Sequence, residues 1–165
     1  MGEKNIANKE LSTSILAKEL KMPLVGVVMG SKSDTVAVQP MFEALDSLGI
    51  SYEVSVISAH RTPEKARQYG LAARGRRIEV IIVAAGAAAH LPGVMASWTT
   101  LPVIGVPLAS SELKGVDALY SIVQMPAGIP VACVAIGSAG VKNAVYLAAA
   151  ILGLKHEEIK SLTNQ

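Results

Sequence analysis

Three short polar stretches hold the side chains in this chain that could do chemistry. They are Gly30-Ser31-Lys32-Ser33-Asp34, Ser58-Ala59-His60-Arg61-Thr62-Pro63, and Gly86-Ala87-Ala88-Ala89-His90-Leu91-Pro92. The His60–Arg61 pair is the one that packing least requires. Histidine is the side chain that changes charge near neutral pH, so it can give or take a proton. The guanidinium fork beside it suits a phosphate or a carboxylate. Ser31 and Ser33 offer hydroxyls next to the free amides of a helix start, where an anion is favoured. Asp34 can accept a hydrogen bond from a sugar hydroxyl. The small residues from Ala84 to Ala89 allow close approach of a backbone to a ligand.

Each of these has a plainer account. Asp34 also fits as an N-cap, Ser31, Ser33 and His60 as turn residues, Arg61 as a solvated ion pair, and His90 as a satisfied loop or core histidine. His156, beside Lys155 and Glu157, reads as facing solvent.

The elements around these stretches decide whether they can meet. Leu24 to Met29, Tyr52 to Ile57, Val80 to Val83, Leu101 to Pro107 and Pro130 to Ile136 read as five strands. The continuous apolar runs at Leu24 and Val80 suit central parallel strands covered on both faces. Ser33 or Asp34 is expected to cap a helix over 35–48, packed through Val38, Met41, Phe42, Leu45 and Leu48, with Pro40 forcing a kink or a late start. Thr62 is expected to cap a helix that begins at Pro63 and fades at Gly75, with Arg74, Arg76 and Arg77 as a solvated, dipole-compatible end. Pro92 starts a short helix, Asp117 caps another over 118–124, and Val141 to Leu152 forms a helix so apolar that contact between subunits would explain it. Strands alternating with helices predict a three-layer parallel α/β fold. If the first three strands are neighbours, their carboxyl-end loops converge in one cleft.

Composition narrows the classes. At 165 residues the chain suits one domain, and no apolar run reaches the ~18 residues of a membrane span. Residues 1–22 read as an N-terminal extension, disordered at first, with Leu11, Ile15, Leu16 and Leu20 at the spacing of a short docking helix. A domain over 23–153 follows, then a polar tail helix over 154–165. No signal-peptide pattern is found. Cys133 alone makes no internal disulfide, which favours a reducing compartment. A net charge of +2, from 15 basic and 13 acidic residues, argues against nonspecific nucleic-acid binding. With 17% charged residues the surface is poorer in charge than a monomer's usually is, so subunit contacts are expected. These features predict a cytoplasmic oligomer that engages neither nucleic acid nor membrane. The dinucleotide, P-loop, zinc and nucleophile-elbow signatures are absent.

Taken in order, Gly30-Ser31-Lys32-Ser33-Asp34, Ser58 to Pro63, Ala88-Ala89-His90-Leu91-Pro92-Gly93, Leu101 to Pro107 and Ser121-Ile122-Val123-Gln124-Met125-Pro126 resemble the N5-carboxyaminoimidazole ribonucleotide mutase family of purine biosynthesis. The resemblance spans residues 23–153. It implies a flavodoxin-like fold with a five-stranded parallel sheet, a homo-octamer, and no metal or organic cofactor. The implied reaction moves a carboxylate from the exocyclic nitrogen of the substrate to ring carbon C4. ATP would be used only by a separate synthetase that supplies the substrate.

By motif position, His60 becomes the general acid/base and His90 lines the reacting centre. Ser31, Asp34 and Arg61 become the main ribonucleotide contacts, with Gly30, Ser33 and Ser58 beside them and Gly86, Ala87, Ala88 and Leu91 as the pocket wall. The competing readings are direct carboxylation of aminoimidazole ribonucleotide by carbon dioxide, and a non-catalytic ribonucleotide-binding oligomer. Two departures from the family pattern stand out. Ala84 and Ala87 occupy glycine positions, and Val94 replaces a methionine. At positive φ, Ala87 would cost about 1 kcal/mol, and its methyl would narrow the pocket.

Overall fold

The computed structural model describes residues 22–162. The expected N-terminal extension, docking helix included, lies outside the described residues. Five parallel strands, β1 (Val25–Met29), β2 (Tyr52–Val56), β3 (Val80–Gly86), β4 (Val103–Leu108) and β5 (Ala132–Cys133), form one sheet in the order β2-β1-β3-β4-β5. This is the flavodoxin-like order, in which the chain reverses direction across the sheet between β1 and β3.

Alternation along the central strands divides their side chains between two cores. Val25, Val27, Val80, Ile82, Ile104 and Val106 face α1 (Thr35–Ser47), α5 (Gly137–Leu152) and α6 (Glu157–Leu162). Val28, Ile81, Val83 and Val103 face α2 (Pro63–Ala73), α3 (Leu91–Ser97) and α4 (Val116–Val123). Both faces of β1, β3 and β4 are therefore buried, as their apolar runs require. The edge strand β2 leaves Val54 and Val56 exposed. In β1, Gly26 makes room for α2: a Cβ there would stand 2.4 Å from the Tyr69 hydroxyl oxygen.

Several local expectations are corrected. Helix α1 starts at Thr35 and runs through Pro40, so the proline imposes no late start. Pro40 leaves the Val36 carbonyl without its helical donor, and Val36 is exposed, where water can serve instead. Asp34 makes no side-chain cap to α1, because the capping bond belongs to the short 3-10 turn before it. Thr62 stands at the N-cap of α2 without a side-chain cap bond; its hydroxyl is used within the preceding turn. Helix α4 is entered through Gly115 at φ 90, and Asp117 lies inside its first turn.

The apolar run at Pro130 pairs with β4 only at Ala132 and Cys133, so β5 is far shorter than its composition suggests. Pro107 falls inside β4 rather than at its margin, beyond the stretch where β5 pairs with that strand. The arginine end of α2 is not simply solvated. Arg76 donates to Glu53 at 3.0 Å and lies over the Tyr69 ring, and Arg74 donates to Thr100. Nor does His156 face open solvent: its Nε2 is 3.1 Å from Glu79, which Lys155 also contacts. Among the described residues no helix is long and apolar enough to cross a membrane.

Candidate functional site

The three polar stretches do meet, because β2, β1 and β3 are adjacent and all end on the same side. After β1, Gly30 N donates to Ala84 O at 3.2 Å, tying this loop to β3. Ser31 then opens the 3-10 turn Lys32–Asp34 with a reciprocal pair of bonds. Its Oγ accepts from Ser33 N, and its own amide donates to Asp34 Oδ2 at 2.9 Å. Ser33 Oγ donates to Ser31 Oγ at 2.8 Å. One Asp34 oxygen is thus spent on the loop, while the other is left to the cleft. Burial raises the Asp34 pKa above the ordinary carboxylate value, against the opposing pull of the Ser31 amide and the Arg61 charge.

After β2, Thr62 closes the turn on Ser58: its Oγ1 accepts from Ser58 N and donates to Ser58 O, both at 3.1 Å. Ser58 Oγ in turn accepts from the Arg61 amide at 3.2 Å and from its Nε at 3.4 Å. Arg61 Nη2 reaches Gly30 O at 3.5 Å, crossing from the second loop to the first. Ser58 is therefore a holder of Arg61, and the guanidinium keeps donors that the described residues do not use.

After β3, Gly86 leads into Ala87 at φ 50, the left-handed region where an alanine is strained. Ala84, the other alanine at a family glycine position, is fully buried in β3 and pairs in register with Met29 and Val106, with no positive φ. Two tight backbone contacts, Ala89 N to Ala87 O and His90 N to Ala88 O, both at 2.8 Å, turn the chain into α3. His90 then stands at that helix's N-cap, and its Nδ1 lies 2.8 Å from His60 Nε2 with the rings edge to face.

The result is a cleft of about 540 Å³. It is lined by Gly30, Ser31, Ser33 and Asp34 from the first loop, and by Ser58, Ala59, His60 and Arg61 from the second. Ala85, Gly86, Ala87, Ala88 and Leu91 line it from the third. All the residues expected at the site line this cleft except His90, which reaches it by its contact with His60. Ser110, from beyond β4, also lines it and was not expected. Its signal was positional: it follows a fourth strand ending on the same side. A larger hollow of about 750 Å³, among Leu24, Glu79, Leu101 and His156, lies at the amino ends of the strands and contains none of these groups. In open parallel sheets, ligands bind at the carboxyl ends. Among the described residues no group of three or more His, Cys, Asp or Glu side chains is arranged to hold a metal ion.

Fold and cleft together define a flavodoxin-like α/β protein whose strand-end cleft brings His60 and Arg61 beside the Ser31–Asp34 turn. Residues 24–165 match the family described as AIR carboxylase, and the chain belongs to that family. Over 142 residues it is 58% identical to an N5-carboxyaminoimidazole ribonucleotide mutase of Pseudomonas aeruginosa, covering 86% of this chain and 87% of the relative. It is 55% identical over 146 residues to a mutase of the same name from Pyrococcus horikoshii, covering 88% and 81%. A crystal structure of Treponema denticola PurE superimposes with a TM-score of 0.77 at 32% identity, covering 86% of this chain and 87% of the other.

Proposed function

We propose that the protein is an N5-carboxyaminoimidazole ribonucleotide mutase, which converts its substrate to 4-carboxy-5-aminoimidazole ribonucleotide in purine biosynthesis. The observation that carries this reading is the 58% identity over 142 residues with a mutase of that name. The convergence of a histidine, an arginine and a serine–aspartate turn in one cleft supports it, since the substrate is a phosphorylated sugar carrying a labile carboxylate.

In this reading Arg61 and the Ser31–Ser33 hydroxyls hold the phosphate, and the free Asp34 oxygen accepts from the ribose. Gly30 and Ser58 shape that end, while Gly86, Ala87, Ala88 and Leu91 wall the imidazole. Protonated His60 donates to N5 as the N5–carbon bond breaks, and the bonding pair stays on nitrogen. Carbon dioxide is left beside an electron-rich C4. C4 attacks that carbon, and neutral His60 takes the C4 proton, which returns it to its starting state. Holding both fragments in one cleft replaces a bimolecular recapture with a local step. His90 orients the His60 ring. The protein works as a homo-octamer in the cytoplasm, downstream of the ATP-dependent synthetase that makes the carbamate.

The test supplies the full-length protein with N5-carboxyaminoimidazole ribonucleotide at low bicarbonate and, separately, with aminoimidazole ribonucleotide plus bicarbonate. Turnover of the carbamate and its loss in His60→Asn are expected. Turnover of aminoimidazole ribonucleotide alone would mark a direct carboxylase. Binding without turnover of either compound would mark a non-catalytic protein.

A further inference from the structure

The fourth strand contributes one polar side chain to the cleft, and the mechanism above does not use it. Ser110 lies two residues beyond Leu108, the residue of β4 that pairs with Gly86 at the end of β3. A Cβ built on Gly86 would stand 1.8 Å from Ser110 Oγ and 3.0 Å from Ser110 Cβ. The serine side chain therefore occupies the volume that any other residue at 86 would fill. Its neighbour Ser111 is committed to the loop, its Oγ accepting from Leu113 N at 3.3 Å. No hydrogen-bond partner of the Ser110 hydroxyl is found among the described residues.

The chemistry of the surrounding wall makes that hydroxyl matter. Ala85, Ala87 and Ala88 bring only methyl groups to this side of the cleft, whereas Arg61, Ser31 and Ser33 lie toward the β1–β2 side. A ribonucleotide whose phosphate is held at Arg61 directs its base toward β3 and β4. There the Ser110 hydroxyl is the side-chain donor on offer.

We propose that Ser110 is a substrate-contacting residue whose hydroxyl holds the carboxyl group in transit, and that Gly86 sets its position by having no side chain. This rests on the mutase reading. The N5–carbon bond breaks with its electron pair passing to N5, which takes the proton of His60. The C4–carbon bond then forms as one C=O pair moves onto oxygen, and the C4 proton passes to His60. Ser110 keeps its own proton throughout. Its O–H donates to the oxygen that becomes charged as C4 attacks the freed carbon dioxide, a contact made during the transfer rather than in the bound carbamate. The freed carbon dioxide is thereby held facing C4 rather than lost to solvent.

The experiment follows unlabelled N5-carboxyaminoimidazole ribonucleotide in isotope-labelled bicarbonate, with carbonic anhydrase added to equilibrate dissolved carbon dioxide. Product label and free aminoimidazole ribonucleotide are read together with kcat and KM. For the wild type, label-poor product is expected. For Ser110→Ala, kcat falls by about 10²-fold, KM stays within about twofold, and both label uptake and free aminoimidazole ribonucleotide rise. Gly86→Ala, which keeps the hydroxyl but displaces it, gives the same signature. It carries the test alone if Ser110→Ala does not fold by circular dichroism. Wild-type kcat in both variants overturns the proposal, as does a lower kcat with unchanged label uptake and leakage, which would show a merely structural serine. A wild-type protein that leaves the carbamate unconverted fails at the earlier step and refutes the mutase reading instead.

Discussion

His60 Nε2 lies 2.8 Å from His90 Nδ1, joining the loop after β2 to the loop after β3. A hydrogen bond between two ring nitrogens needs one N–H and one bare nitrogen. The contact therefore survives when the pair is neutral or carries one extra proton, and is lost when both rings are charged. Such a partner couples the proton position on His60 to the tautomer of His90 and fixes where the ring points.

From this contact, His90→Asn is expected to lower kcat by about tenfold or more, as losing an orienting partner does at other histidine sites, with little change in KM. His60→Asn should cost far more, since general acid/base catalysis is worth about 10²–10⁴-fold. Steady-state kinetics of both variants over a range of pH check this. A His90→Asn enzyme as inactive as His60→Asn would give His90 a direct chemical role.

Ala87 at φ 50 gives a second prediction. The left-handed region costs an alanine about 1 kcal/mol, and a glycine there is unstrained but gains freedom when unfolded. Ala87→Gly should therefore stabilise the protein by somewhat less than about 1 kcal/mol and widen the cleft, whereas Ala87→Val should destabilise it. Urea denaturation orders the three proteins; equal midpoints would mean the loop relaxes around any residue.

Much of this was readable from the chain, and the failures share a cause. The central strands announced themselves because burial on both faces demands unbroken apolar runs, and the strand ends then placed Ser31, His60 and Gly86 together. The length of β5 was overstated because apolar content reports burial, while ladder pairing depends on where β4 lies. Ser31 and Asp34 stand at the spacing of a capping box, but the reciprocal bonds close on a 3-10 turn ahead of α1, so the cap falls at Ser31 rather than at Ser33 or Asp34. His156 looked solvated because its neighbours are charged, yet its partner Glu79 is 77 residues away. Ser110 required knowing that β4 lies beside β3.

The Glu79 cluster yields a third prediction, at the opposite end of the sheet from the cleft. Burial pushes the Glu79 pKa up, but Lys155 and His156 together outweigh it, so the group ends below its ordinary value of 4.5. A lowered carboxylate pKa stabilises the fold above the unfolded value, and that stabilisation disappears as the pH falls through the folded one. Glu79→Gln should thus lower Tm at pH 7, by the equivalent of about 1 kcal/mol or less, and match the wild type in strong acid. Because the partners are Lys155 and His156, just before α6, amide exchange in Glu157–Leu162 should quicken first. Thermal melts and hydrogen exchange across pH test both parts, and a deficit independent of pH would assign the loss to packing rather than charge.

Asp34 runs in the opposite direction. Its pKa is raised, chiefly by burial, so the folded state holds its proton more tightly than the unfolded state does. Stability then falls as the pH rises past the unfolded value of 3.8, and the charged carboxylate is a net burden at pH 7. Asn at this position keeps an oxygen to accept from Ser31 N and removes the charge. Asp34→Asn should therefore raise Tm at pH 7, with the gain vanishing below the unfolded pKa, where both side chains are neutral. The same change replaces an ionised acceptor by an amide where the ribose is proposed to bind, so ribonucleotide affinity should fall. A variant that is both more stable and a weaker binder would mean that the strain of keeping this carboxylate ionised in a half-buried turn is retained for the ligand. Asp34→Asn with unchanged affinity would reduce Asp34 to a turn residue, leaving Arg61 and the two serines to hold the ribonucleotide.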